Sequence, residues 1–254
     1  MKTKMLLAGV TAGVMFAGSV LASTLDDVRA RGKLNCIINT GLAGFAAPDD
    51  KGNWTGFDVD FCRAVAAATL GDADKVNYTT ATGKTRFTKL AAGEGELLSR
   101  NTTWTFSRDV DLAQTFIGVN YYDGQGFMVP KASDHMVLPE IVSKEPLGPV
   151  VRHGDDQWAD IVAWVLRAMM AGEEKGITSK NVKELAAKDN KDKEINRLLG
   201  KDPLQGLSKL GLSADWAVNV ISQVGNYQES FEKHLFPLTI KRGMNALYRD
   251  GGLH

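Results

Sequence analysis

The sequence has no excess of charge of either sign and, beyond its first 22 residues, no long hydrophobic run. Lys and Arg together number 30, as do Asp and Glu, so the formal net charge is zero. A chain without a basic excess lacks the electrostatic footprint of nucleic-acid binding, and no nucleic-acid partner is expected. A membrane-spanning helix needs about 20 strongly apolar residues. We therefore predict that residues 23–254 form a soluble globular protein.

Cysteine is scarce, and the chain has only Cys36 and Cys62. Neither lies beside the His and Asp residues that would mark a catalytic nucleophile, and no metal-ligand cluster surrounds them, so no metal or other cofactor is expected. Cys36 falls in a predicted strand and Cys62 in a predicted helix, two elements that should pack together. In an exported chain the pair can form a disulfide; two buried free thiols are the alternative.

The first 22 residues have the form of a secretory signal peptide. Two lysines precede the uncharged apolar stretch Met5–Val14, and Val20–Ala22 has the small-x-small pattern that signal peptidase reads. The many Gly, Ala, Ser and Thr residues lower the hydrophobicity of this region. This favours cleavage after Ala22 over the alternative of a retained membrane anchor. We therefore expect an exported chain with its signal peptide removed.

Alternating strand and helix patterns predict an α/β fold with a mixed sheet flanked by helices, followed by a mainly helical C-terminal half. The predicted strands are Leu34–Asn39, Lys75–Thr80, Leu97–Ser99, Phe116–Val119, Gly126–Val129, Met136–Leu138 and Gly148–Val151. The predicted helices are Thr24–Arg31, Asp58–Leu70, Lys84–Ala92, Asp155–Ala171, Ser179–Ala187, Ala214–Val224 and Asn226–His234. Pro139–Pro149 and Leu198–Leu212 are predicted as loops. In such a fold, ligands bind where the strands end.

The polar segment Arg100–Asp109, RNTTWTFSRD, follows a predicted strand and is the candidate binding loop. Arg108 carries a planar, permanently charged guanidinium that can hold a carboxylate by two parallel hydrogen bonds. Thr103 and Thr105 can add neutral hydrogen-bond donors. From residue chemistry alone, the alternative is that Arg108 forms a surface salt bridge with a neighbouring aspartate and that the threonines simply suit an exposed strand.

Seven stretches with a specific pattern are spread along the chain from residue 24 to residue 253. They are Thr24–Lys33 (TLDDVRARGK), Asn39–Val65 (NTGLAGFAAPDDKGNWTGFDVDFCRAV), Leu98–Arg108 (LSRNTTWTFSR), Phe116–Val129 (FIGVNYYDGQGFMV), Val137–Trp158 (VLPEIVSKEPLGPVVRHGDDQW), Gln223–Tyr227 (QVGNY) and Lys241–Leu253 (KRGMNALYRDGGL). Together they resemble the type II periplasmic solute-binding proteins, family 3, of ABC transporters. The resemblance is to the branch that takes up general L-amino acids or glutamate, glutamine, aspartate and asparagine.

The resemblance implies two α/β lobes joined by two crossing strands, with the ligand held between them. It implies capture of an L-amino acid in the periplasm and delivery to permease subunits at the inner membrane. Carried over by position, Arg108 resembles the arginine that pairs with the ligand α-carboxylate, and Thr103 the hydroxyl residue that supports this contact. Asn101 and the adjacent Arg100 occupy neighbouring contact positions, and Phe45 is expected to form a wall of the site.

The motif Gly56-Phe57-Asp58 is interpreted as structural rather than as part of the ligand site. Gly56 is expected to make a turn, Phe57 to bury its ring, and Asp58 to cap the following helix.

The sequence departs from the family where the second lobe should begin. In the family, a strand like Gly126–Val129 leads into that lobe and a segment like Val137–Pro149 returns from it, whereas only the seven residues Pro130–Met136 separate the two here. Seven residues cannot form an α/β lobe, so most of the second lobe is expected to be absent. With it would go a Thr-rich loop and an Asp that receives the ligand ammonium. Asp134 and Glu140 are nearby acids, but nothing in the sequence places either in the cleft.

This departure predicts four regions. Residues 1–22 are the signal peptide, 23–129 the N-terminal part of lobe 1, 130–136 a shortened junction, and 137–254 the returning hinge segment with the helical remainder of lobe 1. An exposed ion pair is worth only about 0–1 kcal/mol, so weak ligand binding or none is expected from the chain alone.

The predicted function is that of the substrate-binding component of an amino-acid ABC transporter. A truncated, non-binding remnant of such a receptor is one alternative. The other is an exported dehydratase-like enzyme, which would need an acid/base pair in the cleft. The four histidines, at positions 135, 153, 234 and 254, are isolated in sequence and are interpreted as lying on surface loops or at helix ends. No catalytic residue is therefore expected.

Overall fold

The computed structural model describes residues 23–131, 134–202 and 206–254. The strands in this part of the chain are β1 (Leu34–Asn39), β2 (Ala47–Pro48), β3 (Trp54–Thr55), β4 (Val76–Ala81), β5 (Leu97–Leu98), β6 (Gln114–Phe116), β7 (Tyr121–Asp123), β8 (Gly126–Lys131), β9 (Asp134–Ile141), β10 (Glu145–Leu147) and β11 (Val150–Arg152). The helices are α1 (Thr24–Arg31), α2 (Phe57–Leu70), α3 (Arg86–Ala91), α4 (Phe106–Val110), α5 (Asp156–Glu174), α6 (Val182–Ala187), α7 (Lys193–Leu198), α8 (Leu207–Leu210), α9 (Trp216–Gln223) and α10 (Tyr227–Leu235). The predicted signal peptide lies outside the described residues.

A mixed five-stranded sheet forms the centre of the fold, in the order β4-β1-β5-β11-β6. β1 runs parallel to both β4 and β5, whereas β11 runs antiparallel to β5 and β6. The residues of β1 are almost continuously buried because helices cover both faces of the sheet. Cys36 and Ile38 join the larger hydrophobic cluster, and Ile37, which points to the other face, joins a smaller one. The predicted mixed sheet flanked by helices is therefore observed.

Helices α2, α5, α9 and α10 form the layer over the larger cluster. The amphipathic pattern predicted for α5 is present, and Trp158, Ile161 and Val165 are buried on its inner face. Asp155 caps α5 by accepting a hydrogen bond from the backbone N–H of Trp158 at 2.9 Å. The indole N–H of Trp158 in turn donates to the carbonyl of Glu96 at 2.9 Å. This bond ties the helix layer to the segment that enters β5.

A disulfide joins the sheet to the helix layer. It links Cys36 of β1 to Cys62 of α2, whose Cα atoms are 6.1 Å apart. Both residues are fully buried, so the link fixes α2 on the sheet from within the core.

The second lobe expected from the resemblance is replaced by a hairpin. Strands β8 and β9 pair antiparallel, with Gly126 opposite Ile141 and Lys131 opposite Asp134. The predicted loop Pro139–Pro149 is wrong, because β9 continues to Ile141 and β10 then pairs antiparallel with β7. The hairpin presents apolar side chains to solvent: Phe127 and Ile141 are 57% and 61% exposed.

The C-terminal half contains short helices that the sequence did not reveal. Helix α7 lies beyond the predicted helix Ser179–Ala187, and α8 lies within the stretch predicted as the loop Leu198–Leu212. Two of the four histidines, which were interpreted as lying on surface loops or at helix ends, contact buried side chains. His234 stands at the end of α10, but its side chain is only 7% exposed and contacts Asp60 at 2.7 Å. His254 packs on Tyr227, with ring centroids 4.9 Å apart, and burial lowers its pKa to about 4.

Candidate functional site

The first half of the candidate loop is held against the start of α2. The carboxylate of Asp58 accepts a hydrogen bond from the backbone N–H of Asn101 at 3.1 Å, and the carbonyl of Asp58 accepts one from the hydroxyl of Ser99 at 2.9 Å. The amide of Asn39, at the end of β1, donates to the side-chain oxygen of Asn101 at 2.9 Å. The loop therefore leaves the sheet along a fixed path at the carboxyl ends of β1 and β5.

Asp58 has a different role from the one predicted. It was expected to cap α2, but Gly56 occupies the cap position without a side-chain bond and Asp58 lies inside the first turn, 2% exposed. Burial raises the pKa of Asp58 to about 7, against hydrogen bonds from Asn101 and Asn120 and the charge of Arg100, which lower it. The motif is structural, as predicted, but its acid organises the candidate loop rather than the helix end.

The second half of the loop forms helix α4 rather than an exposed strand. The side chain of Thr105 caps this helix by accepting from the backbone N–H of Arg108 at 3.4 Å. The side chain of Arg108 folds back, and its Nη1 donates to the carbonyl of Thr103 at 2.8 Å. Asp109 and Asp111 form no ion pair with it. The surface salt bridge considered as an alternative is therefore not formed.

Three arginines gather around the loop: Arg108, Arg100 and Arg86, the first residue of α3. Arg86 is 6% exposed, and its Nη1 donates to the carbonyl of Asn101 and the hydroxyl of Thr102, both at 3.3 Å. Its buried Nε has no hydrogen-bond partner among the described residues. Arg100 donates from Nε to the carbonyl of Ala81 at 3.1 Å.

The three arginines affect one another's ionisation. Burial, followed by the charges of Arg100 and Arg108, lowers the pKa of Arg86 to about 10. Burial also lowers the pKa of Arg100; Asp58 opposes this shift and Arg108 adds to it. Within residues 23–131, 134–202 and 206–254, none of the three guanidiniums forms an ion pair with an Asp or Glu. A partly buried cluster of unpaired cations is chemically suited to bind an anion.

Arg86 was missed in the sequence analysis, although one signal was available. A cation in the first turn of a helix opposes the helix dipole, which favours negative charge there. An arginine that begins a helix therefore indicates a partner other than the helix itself.

An acid also reaches the loop, and it is neither of the two considered from the sequence. Glu145, in β10, is half-buried, and its Oε2 accepts a hydrogen bond from the hydroxyl of Thr103 at 3.2 Å. Glu140 is exposed on β9. The backbone of Asp134 pairs with that of Lys131 at the far end of the hairpin. The spacing between Glu145 and Thr103 along the chain gave no indication of this contact.

Phe45 is placed in the core rather than beside the arginines. Its ring meets those of Phe57 and Tyr121 edge-on, with centroids 6.3 and 5.1 Å away. With 9% of its surface exposed, it has little area to offer a ligand. The structure thus brings together Arg100, Asn101, Thr103 and Arg108 of the predicted residues, and places Phe45 in the core.

Comparison with known proteins assigns the sequence to a family. The sequence model of the bacterial extracellular solute-binding proteins, family 3, matches residues 34–184. The chain belongs to this family. The general L-amino acid-binding periplasmic protein AapJ of Rhizobium johnstonii is 42% identical over 336 positions, which span 100% of this chain and 98% of that protein. The glutamate/glutamine/aspartate/asparagine-binding protein BztA of Rhodobacter capsulatus is 42% identical over 333 positions, with the same coverage of both chains.

A solved structure shows the same fold. The ABC transporter periplasmic binding protein from Brucella ovis, with glutathione bound, is 40% identical and aligns with a TM-score of 0.86, over 92% of this chain and 98% of its own. The prediction of a type II periplasmic binding-protein fold is confirmed, as is that of the solute-binding family of amino-acid ABC transporters. The relatives named here are binding proteins.

The comparisons also confirm that this family member is shortened. The alignment with AapJ spans 336 positions, 82 more than the 254 residues of this chain, so at least 82 residues of that relative have no counterpart here. Within residues 23–131, 134–202 and 206–254, no helix is long and apolar enough to cross a bilayer. No three His, Cys, Asp or Glu side chains in these ranges are arranged to hold a metal ion.

Proposed function

We propose that this chain captures an L-amino acid in the periplasm and delivers it to the permease subunits of an ABC transporter at the inner membrane. The observation that carries the proposal is the cluster of three unpaired arginines at the candidate loop. The names of the relatives support it, since AapJ and BztA are periplasmic or amino-acid-binding proteins by name. Residues 1–22 are proposed to be a signal peptide, and the mature chain is proposed to begin after its cleavage.

Arg108 is proposed to hold the ligand α-carboxylate. It lies at intermediate exposure on α4 and donates to one carbonyl, which leaves other guanidinium N–H groups for a carboxylate. Asn101 and Thr103 flank it. Because Arg108 is only partly buried, this contact is weak: an ion pair open to water contributes about 0–1 kcal/mol.

Arg86 and Arg100 are proposed to favour a ligand with a second acidic group. A single carboxylate cannot neutralise three guanidiniums, whereas an acidic amino acid carries two carboxylates. Glutamate and aspartate appear in the name of one relative. The Brucella ovis neighbour holds glutathione, which also carries two carboxylates and one ammonium. Acidic amino acids and γ-glutamyl peptides are therefore the preferred ligand class of this proposal.

Titration of the folded chain tests the proposal. Chemical-shift changes in NMR spectra are measured with glutamate, glutamine, aspartate and glutathione. Because a single lobe leaves the ligand open to water, we expect a dissociation constant on the order of 1 mM, equivalent to about 4 kcal/mol. Arg108→Gln should weaken glutamate binding by about tenfold, the weight of one charge-assisted contact.

Arg249→Gln is the matched control, because this arginine contacts the carbonyl of Glu174, on α5, rather than the loop. Absence of binding at tens of times the expected dissociation constant would support the non-binding remnant instead. Micromolar affinity would contradict the weak binding expected of one lobe. Stimulation of the transporter ATPase with and without amino acid separates ligand delivery from simple docking.

A further inference from the structure

Glu145 is held next to the arginine loop by the strand that carries it. β10 pairs antiparallel with β7, with Glu145 opposite Asp123 and the buried Leu147 opposite Tyr121. The loop itself adds to this arrangement, since the backbone N–H of Trp104 donates to the carbonyl of Pro146 at 2.8 Å. Backbone pairing on both sides therefore fixes the backbone at Glu145, and the hydrogen bond from Thr103 holds its carboxylate beside that residue.

Opposite charges meet at the two ends of Thr103 without pairing with each other. The carbonyl of Thr103 accepts from Nη1 of Arg108 at 2.8 Å, and its hydroxyl contacts Oε2 of Glu145 at 3.2 Å. No Lys, Arg or His of the described chain forms an ion pair with Glu145. One residue thus separates an unpaired cation from an unpaired anion, and an α-amino acid likewise carries its carboxylate and its ammonium on one carbon.

The hydrogen bonding of Thr103 adds a second constraint. A hydroxyl has one proton to donate and two lone pairs that accept. An ionised carboxylate can only accept, so the proton of Thr103 lies on the bond to Glu145. What the hydroxyl then offers a ligand is its lone pairs, which suit an ammonium and repel a carboxylate.

We propose that Glu145, with the hydroxyl of Thr103, receives the α-ammonium group of the ligand and makes the site select zwitterionic amino acids over simple anions. The inference rests on the proposed function and adds to it the residue that recognises the amine. An anion without an amine is attracted by the arginines but repelled by the Glu145 carboxylate, and it carries no positive charge to offset that repulsion. A zwitterion can pair its carboxylate with an arginine and its ammonium with Glu145.

Paired ligands with and without the amine test this assignment. Glutarate has the carbon skeleton and both carboxylates of glutamate but no amine, and N-acetylglutamate keeps the nitrogen without its charge. The wild-type chain should bind glutamate about tenfold more tightly than either analogue, since each loses a charge-assisted hydrogen bond. NMR titration of the folded chain gives each dissociation constant.

The Glu145→Gln variant gives the second arm, because glutamine keeps the shape and still accepts from Thr103. It should bind glutamate about tenfold more weakly and glutarate no more weakly than the wild type, so that the preference disappears. Glu140→Gln, which changes an exposed acid of the same returning segment, should keep the wild-type preference. The wild-type comparison of the three ligands needs no variant, so it holds even if Glu145→Gln fails to fold.

Three results would overturn the assignment, and they differ from one another. If the wild type prefers glutamate and Glu145→Gln retains that preference, the role of Glu145 is wrong and the proposed function stands. Equal binding of glutamate and glutarate by the wild type would likewise leave an anion site without amine recognition. If the wild type binds none of the three ligands, the proposed function fails and the inference fails with it.

Discussion

At the residue scale, Asp58 joins the core to the candidate site. Its carboxylate holds the backbone of Asn101, and its carbonyl holds the hydroxyl of Ser99. The same carboxylate is 2% exposed, and burial raises its pKa to about 7. A single buried acid thus positions the loop that carries Arg108, and its charge is unfavourable in the folded state.

This burial predicts a pH dependence of stability. The pKa of Asp58 is about 7 when folded and about 3.9 in an unfolded chain. Protonated Asp58 therefore favours the folded state. This stabilisation is complete below pH 4 and is lost as the pH rises to about 7, on the order of 4 kcal/mol in all. In Asp58→Asn, which can still accept from Asn101, this loss should be absent. Urea unfolding of both proteins between pH 4 and 8 measures the difference.

The exposed Asp50 provides the control: Asp50→Asn should follow the wild type at every pH. If the stabilities of the wild type and Asp58→Asn change in parallel between pH 4 and pH 8, Asp58 is not the group responsible for the pH dependence.

The candidate site was predictable only where its residues are neighbours in sequence. Arg100, Asn101, Thr103 and Arg108 lie in one loop, so their chemistry is visible in a short motif. Arg86 and Glu145 reach the same loop from α3 and β10, through contacts between residues 15 and 42 positions apart. No local pattern encodes such contacts.

At the element scale, α2 begins where the backbone passes very close to the preceding loop. Gly56 has a φ of 138°, and a Cβ built on it would lie 2.2 Å from the carbonyl oxygen of Phe45. The N–H of Asp58 donates to that same carbonyl at 2.9 Å. Only glycine fits this approach, and it places both Phe57 and Asp58 correctly.

Gly56→Ala should therefore destabilise the fold severely. The methyl group meets backbone atoms that cannot move away, and the φ is unfavourable for a residue with a side chain; together we expect a loss of about 3 kcal/mol or more. Chemical denaturation measures it. Gly83→Ala is the matched control, since a Cβ there meets nothing within 4 Å, and its stability should change by less than about 0.5 kcal/mol.

Elements with strong internal periodicity were predicted well, and elements held by distant partners were not. The apolar spacing in α5 and the capping residues of α1 and α10 are local signals, and those helices lie where they were expected. β10 has three residues and exists because β7 pairs with it. A strand of that length has no alternation to read, so the segment around it was predicted as a loop.

At the scale of the whole molecule, the chain is shorter than its relatives, and we propose that it forms a single lobe whose site is open to water. Exposed apolar side chains occur on α4 and on the β8–β9 hairpin. Phe106 is 79% exposed and Phe127 57%. Large apolar side chains with this much exposure favour association with other molecules.

We accordingly expect concentration-dependent self-association. The double change Phe127→Ser and Ile141→Ser, on the paired strands of the hairpin, should reduce it, because both side chains are more than half exposed and contribute little to the core. Analytical ultracentrifugation over a wide range of concentration measures the effect. Tyr248→Ser, a change at a residue that is 84% exposed outside the hairpin, should leave the association unchanged. An unaltered profile in the double variant would exclude the hairpin as the contact.

The β8–β9 hairpin also offers a site at which another folded domain can be inserted into the chain. Lys131 and Asp134 face each other across the ladder, so the backbone leaves and re-enters the lobe at neighbouring points about 5 Å apart. A folded domain whose own termini lie side by side can be spliced there without altering the central sheet. The lobe of a relative, or a fluorescent reporter, could thus be transplanted onto this scaffold, with the arginine loop kept intact and a new specificity supplied from outside.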